Sequence, residues 1–182
     1  REQVVQAVAQ QKSDSIKVIE EEKQAKRQIA QMTDSTNSLF TARQKNEGTT
    51  VIENELLKLT IQNRGGQLAR AELKDPAYKN QEGGQVVLFD KGDSEMELRF
   101  DGKDDNIETS ELYFAPKDAK QNAVTMSLPV ADGSIDIQYE LLPNSYILNM
   151  TVAATGLDGF FSTKTKSFDI VWNENMRQQE KG

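Results

Sequence analysis

Across 182 residues the chain has neither cysteine nor histidine. Without thiols there is no disulfide, no thiolate nucleophile and no cysteine-ligated zinc. Without imidazole the usual general base near neutral pH is missing, and Ser-His-Asp chemistry with it. Acid–base work would fall to carboxylates, lysine or tyrosine. The missing cysteine leaves the redox compartment open, because a periplasmic protein can do without disulfides. Also absent are a run of about 18 apolar residues, the length of a membrane span, and a signal peptide. Basic residues number 22 against 29 acidic ones, a net charge of −7. That balance advertises no phosphate-binding surface, so a nucleic-acid partner is not expected. The chain opens at Arg1 rather than methionine, and the expectation is a piece of a longer or processed protein.

What is present divides into two unlike parts. Residues 1–44 hold no glycine or proline and are rich in Gln, Glu, Lys and Ala, so a helix is expected from Arg1 to about Met32. Val5, Val8, Ile16, Ile19, Ile29 and Met32 make a thin apolar stripe that Lys12, Lys23 and Lys26 interrupt. Such a face could cover a sheet, pair as a weak coiled coil or stay solvated, and the solvated reading fits its charge best. Pairs such as Glu22–Lys26 add only a few tenths of a kcal/mol. Residues 34–38 are helix breakers. Leu39 and Phe40 begin a second short helical turn that ends before Gly48.

From Thr49 the pattern changes to short alternating runs. Leu57, Leu59 and Ile61 alternate with Lys58, Thr60 and Gln62, the period-two signature of a half-buried strand. Asn63, Arg64, Gly65 and Gly66 form a turn that needs positive φ, and residues 68–73 run back until Asp75-Pro76 stops them. Residues 86–89 read as a strand buried on both faces. Met96, Leu98 and Phe100 form the next run, closed by Asp101-Gly102. Val124, Met126 and Leu128 lead through an Asp132-Gly133 turn into Ile135, Ile137, Tyr139 and Leu141. Pro143-Asn144 turns into residues 146–153, and Phe168, Ile170 and Trp172 alternate in the last strand. Strands of this length between regular turns predict an antiparallel β-sandwich or meander.

The wording of these strands resembles a known family. The hairpin IEN-x-LLK-x-x-I-x-x-RGG, then VVLFD at 86–90, TSELYF at 109–114 and YELLPNSYILNMTV at 139–152 are similar to the large periplasmic domain of the YidC membrane protein insertases. The resemblance implies a mainly β fold, part of a galactose-mutarotase-like β-supersandwich, with an N-terminal helical segment. It implies a membrane-proximal helical spacer over 1–48 and a periplasmic sandwich over 49–182, cut short at its C-terminal end. Some apolar surface would then be exposed or covered by a neighbouring chain. It further implies a non-enzymatic role in inserting, folding and assembling bacterial inner-membrane proteins. The partners would be nascent membrane proteins and the SecD–SecF accessory complex, with the full-length protein embedded in the membrane. A carbohydrate- or peptide-binding sandwich is the alternative, and a carboxylate-based sugar-processing enzyme a weaker one. Mutarotase chemistry needs histidine beside glutamate and is rejected here.

No constellation points to a catalytic, cofactor or metal site. Asp101, Asp104, Asp105, Asn106 and Glu108 are the densest oxygen cluster, but their spacing lacks the EF-hand alternation, and a solvated loop is expected. Asp90, Gly92 and Asp93 read as a turn. Arg64-Gly65-Gly66 is followed by a strand, not by the helix a phosphate loop requires. Phe114, Phe168 and Trp172 are assigned to the core. Of the adjacent pair Phe160-Phe161, both rings cannot share one strand face, and a loop folded onto the core is the favoured reading. Asn149-Met150-Thr151 matches a glycosylation pattern by chance within a strand. No cofactor is expected.

Overall fold

The computed structural model describes residues 17–23, 25, 26, 39–102, 106–161 and 167–175. The helical stripe at Val5, Val8, Lys12, Ile16, Ile29 and Met32, the breakers at 34–38 and the tail beyond Asn175 lie outside the described residues. Residues 17–23, 25 and 26 are helical and solvated, with Val18 and Ile19 exposed.

Eleven strands follow among the described residues: β1 (Thr49–Glu53), β2 (Leu57–Gln62), β3 (Leu68–Leu73), β4 (Val87–Phe89), β5 (Ser94–Asp101), β6 (Asn106–Glu108), β7 (Ala115–Lys117), β8 (Ala123–Val130), β9 (Gly133–Leu141), β10 (Leu148–Thr155) and β11 (Asp169–Glu174). They form antiparallel sheets in the orders β1-β2-β3-β4, β10-β9-β8-β7 and β11-β5-β6. The alternation predicted for these strands is the alternation that buries them. Leu57, Leu59 and Ile61 face inward from β2, and Met96, Leu98 and Phe100 from β5. Val124, Met126, Leu128 and Val130 on β8 meet Ile135, Ile137, Tyr139 and Leu141 on β9. Together they make one core, and the fold is the mainly β sandwich that the pattern implied.

Polar groups also tie the sheets together. The Tyr139 hydroxyl donates to the Gly66 carbonyl at 2.9 Å, and the Met96 N–H donates to Gln67 Oε1 at 2.6 Å. Gly65 and Gly66 hold φ of 73° and 60°, as the hairpin demanded. A Cβ on Gly66 would lie 2.8 Å from the Phe114 ring, so that glycine also permits a close approach.

Residues 39–48 precede the first strand yet are built onto the sandwich. The helical turn Phe40–Arg43 sinks Leu39 and Ala42 into the core. The Ala42 carbonyl accepts from Tyr113 N–H at 2.7 Å, and the Gly48 carbonyl from Asn63 N–H at 2.9 Å. The Asn63 side chain donates to the Asn46 carbonyl at 2.9 Å.

Three expectations need correction. The strand at 86–89 is not buried on both faces: among the described residues β4 pairs with β3 alone, and Leu88 is exposed on its outer side. The Asp132-Gly133 turn is centred one residue earlier. Ala131 takes the positive φ of 48°, while Gly133 opens β9 paired with Val130. Its missing side chain makes room for the Thr155 carbonyl, which a Cβ would strike. Phe168 and Trp172 are not core residues, being 39% and 49% exposed.

Candidate functional site

The oxygen-rich loop expected at 101–108 is brought together only in part. Asp101 pairs with Asn106 across β5 and β6, and Glu108 with Arg99, which spreads these groups along a ladder. Asp104 and Asp105 lie outside the described residues. Among the described residues no three acidic groups are placed to hold a metal. Asp90, Gly92 and Asp93 do form a turn. The Asp93 carboxylate accepts from Asp90 N–H at 3.0 Å, Gly92 has φ of 90°, and Asp90 pairs with Arg70.

Arg64 leaves the hairpin turn toward a polar cleft of about 540 Å³. Arg64, Lys91, Glu95, Glu97, Arg99 and Glu111 are among its walls. The Arg64 guanidinium reaches Glu111 at 2.6 Å and the Ser110 carbonyl at 3.1 Å. The hydrogen bond that Arg64 donates to Glu111 leads the causes that raise its pKa. Burial pushes the Glu97 carboxyl up, yet hydrogen bonds from Ser110 and Arg99 outweigh it and hold the group below its usual value. Glu55, at the surface elsewhere, is also held low, chiefly by the Asn144 N–H. Neither carboxyl is suited to carrying a proton at neutral pH, as a general acid would. Within the cleft Arg64 pairs with Glu111 and Arg99 with Glu97, and its described walls carry no aromatic side chain.

Apolar side chains stay partly uncovered at two strand edges. The pairing Trp172–Met96 and Ile170–Leu98 sets the β11 side chains on the core side of their sheet. Even so, Ile170 and Trp172 remain about half exposed, because β11 ends its sheet and no described strand lies over it. The Trp172 indole N–H donates to Ser94 Oγ at 3.0 Å, and Phe168 stacks on Phe100 at 5.1 Å. On the other edge, Leu148, Met150 and Val152 of β10 point the same way as Leu141, Tyr139 and Ile137, and are only half buried. Phe160 and Phe161 meet edge to face at 5.5 Å, with Phe161 beside Phe100 at 6.0 Å. Their loop is folded onto the core, as expected. Asn149 sits in β10 facing solvent.

Sequence reasoning missed Tyr78, whose ring meets Tyr146 at 6.4 Å. The one available signal was its place after Asp75-Pro76, in a turn that projects side chains outward.

Comparison with known proteins places these surfaces in a family. The family model described as the YidC periplasmic domain matches residues 49–182. A membrane protein insertase YidC of Phocaeicola vulgatus is 41% identical over 150 residues, 82% of this chain and 24% of that protein. One from Bacteroides fragilis is 34% identical over 177 residues, 97% of this chain and 28% of that protein. One from Porphyromonas gingivalis is 33% identical over 132 residues, covering 71% and 21% respectively. The chain therefore spans about a quarter of the length of these relatives. No solved structure matches it.

Proposed function

The chain belongs to the family of YidC periplasmic domains, and from that premise we propose that it is the periplasmic, non-catalytic part of a bacterial inner-membrane insertase. Its task is to support insertion, folding and assembly of membrane proteins through protein–protein contacts. Emerging membrane segments are one class of partner, and the SecD–SecF accessory complex is the other. On this reading residues 1–48 form the membrane-proximal spacer and 49–182 the sandwich, with Leu39 and Ala42 of the spacer's last part buried against it. The single observation that carries this reading is the family match over residues 49–182. The depressed carboxyls and the absence of histidine agree with a role that makes no covalent change. Nothing in the charged cleft favours the carbohydrate-binding alternative. Purification of the full-length insertase from membranes, with and without residues 49–182, tests the partner assignment. SecD–SecF should accompany the intact protein and be depleted from the deleted one. Equal recovery from both would overturn it.

A further inference from the structure

Two loops distant in sequence meet at the end of the sandwich where β1 finishes. One carries Tyr78 and the other Tyr146 and Ile147, exposed by 48%, 46% and 57%. The tyrosine rings meet nearly perpendicular, at 79°. Single exposed apolar residues are ordinary on any surface. Three that touch or adjoin, on loops fastened this firmly, are less so.

The fastening is specific. Buried Asn54 donates through Nδ2 to the carbonyls of Leu142 and Ser145, both at 2.7 Å. Its Oδ1 accepts from Leu56 and Leu57 N–H at 2.9 and 2.7 Å. Glu55 accepts from Asn144 N–H at 3.0 Å, and the Tyr146 hydroxyl donates to Asp75 at 3.0 Å. Asn80 closes the other loop by accepting from Glu82 and Gly84 N–H. A surface held in this way has little conformational entropy left to lose on docking, which favours affinity.

Charge selects the partner. Glu53 takes Lys74 as its ion pair, and Lys74 also donates to the Asn54 carbonyl. Glu55 also feels the Lys74 charge, and Asp75 accepts from Ala77 N–H at 2.9 Å, yet among the described residues neither carboxylate is held in an ion pair of its own, and Lys79 is exposed on the loop that carries Tyr78. Tyrosine faces and carboxylates together suit guanidinium groups, which stack on one and pair with the other. Position selects protein over lipid. The five residues of β1, spanning about 16 Å, separate this end from residues 39–48, where the spacer arrives. On the reading proposed above, the patch therefore faces away from the bilayer.

We propose that Tyr78, Tyr146 and Ile147, rimmed by Glu55 and Asp75, form a docking surface for an arginine-bearing segment of a protein partner. The probe is a synthetic dodecapeptide alternating arginine and leucine, with a glutamate–leucine peptide as control, titrated into the 182-residue chain and followed by amide and tyrosine NMR shifts. Shifts should cluster at 53–56, 75–79 and 143–147 with the arginine peptide alone. The double variant Tyr78→Ala/Tyr146→Ala should bind about tenfold more weakly. Glu55→Gln, which keeps an oxygen for the Asn144 N–H, should weaken binding and flatten its salt dependence without loss of fold. Shifts centred on the Arg64 cleft, equal response to the two peptides, or an unaltered double variant would overturn the proposal. So would vesicles of phosphatidylethanolamine and phosphatidylglycerol shifting the same resonances, since that would make the patch a lipid contact. Failure of the SecD–SecF experiment would leave these outcomes unchanged, because they read the patch itself.

Discussion

Tyr139 and Gly66 lie on opposing sheets, and the hydroxyl of the first donates to the carbonyl of the second at 2.9 Å. The bond pins the apex of the β2–β3 hairpin to the centre of β9, where Tyr139 is fully buried. Removing the hydroxyl by Tyr139→Phe should cost about 1 kcal/mol, since the Gly66 carbonyl is left without that donor. Urea denaturation reads it as a lower midpoint at unchanged slope. An unaltered midpoint would mean that water replaces the hydroxyl.

The same tyrosine makes stability depend on alkaline pH. Burial raises its pKa well above the ordinary tyrosine value of 10.0. Between those values the folded state retains a proton that the unfolded chain releases. The stabilisation is complete below pH 10 and is lost as pH rises toward the folded pKa. Thermal melts from pH 8 to 11 should therefore show a steeper fall for the parent chain than for Tyr139→Phe. Parallel curves would contradict this.

The two turn glycines should respond unequally. Gly65 has φ of 73° and faces the end of the Gln67 side chain, whereas Gly66 adds the rigid Phe114 ring under its Cα hydrogen. Gly65→Ala should cost about 1 kcal/mol from backbone strain, and Gly66→Ala about 2–4 kcal/mol once overpacking is added. Denaturation midpoints in the reverse order would show that the ring yields easily.

Asn54→Ala removes the acceptor for two N–H groups and the donor for two carbonyls in one step. A loss of about 2–3 kcal/mol is expected, together with faster amide exchange at Leu56, Leu57 and their neighbours. A loss below about 0.5 kcal/mol, the range of ordinary surface substitutions, would mean these bonds are replaced by solvent.

Truncation separates spacer from fold. Deleting residues 1–38 should leave the melting temperature nearly unchanged, because Val18 and Ile19 are exposed. Deleting residues 1–43 also removes buried Leu39 and Ala42 and should cost about 3 kcal/mol or more. Equal stability of the two truncations would place the folded unit after Arg43.

Much of this architecture was legible because period-two alternation is a local property. Leu57, Leu59 and Ile61, or Ile135, Ile137 and Tyr139, announce their inward face without reference to anything distant. The failures share the opposite cause. Trp172 has core chemistry and a core-facing register, and Phe168 stacks on buried Phe100, but burial requires a neighbour, and β11 ends its sheet. Leu88 fails similarly on an edge strand. Gly133 looked like a turn residue, whereas the Thr155 backbone demands it. Tyr78 and Tyr146 meet through two loops, one shaped by Asn54 from a distant place in the chain and the other closed by Asn80. Of the candidate sites, composition could exclude cysteine and histidine ligands and thiol or imidazole chemistry. It could not locate the charged cleft, which needs Arg64, Glu97 and Glu111 from three elements.

The central claim, that this sandwich assists insertion by contact and without catalysis, is tested most directly by a client-insertion assay in cells depleted of their own insertase. Full-length protein is compared with versions lacking residues 49–182 or carrying Glu97→Gln in the cleft. The account predicts reduced yield or assembly of at least one client on deletion, and none on the Glu97→Gln exchange, since no proton transfer passes through that carboxylate. Full insertion of every client without the domain, or loss of insertion on the single exchange, would contradict it.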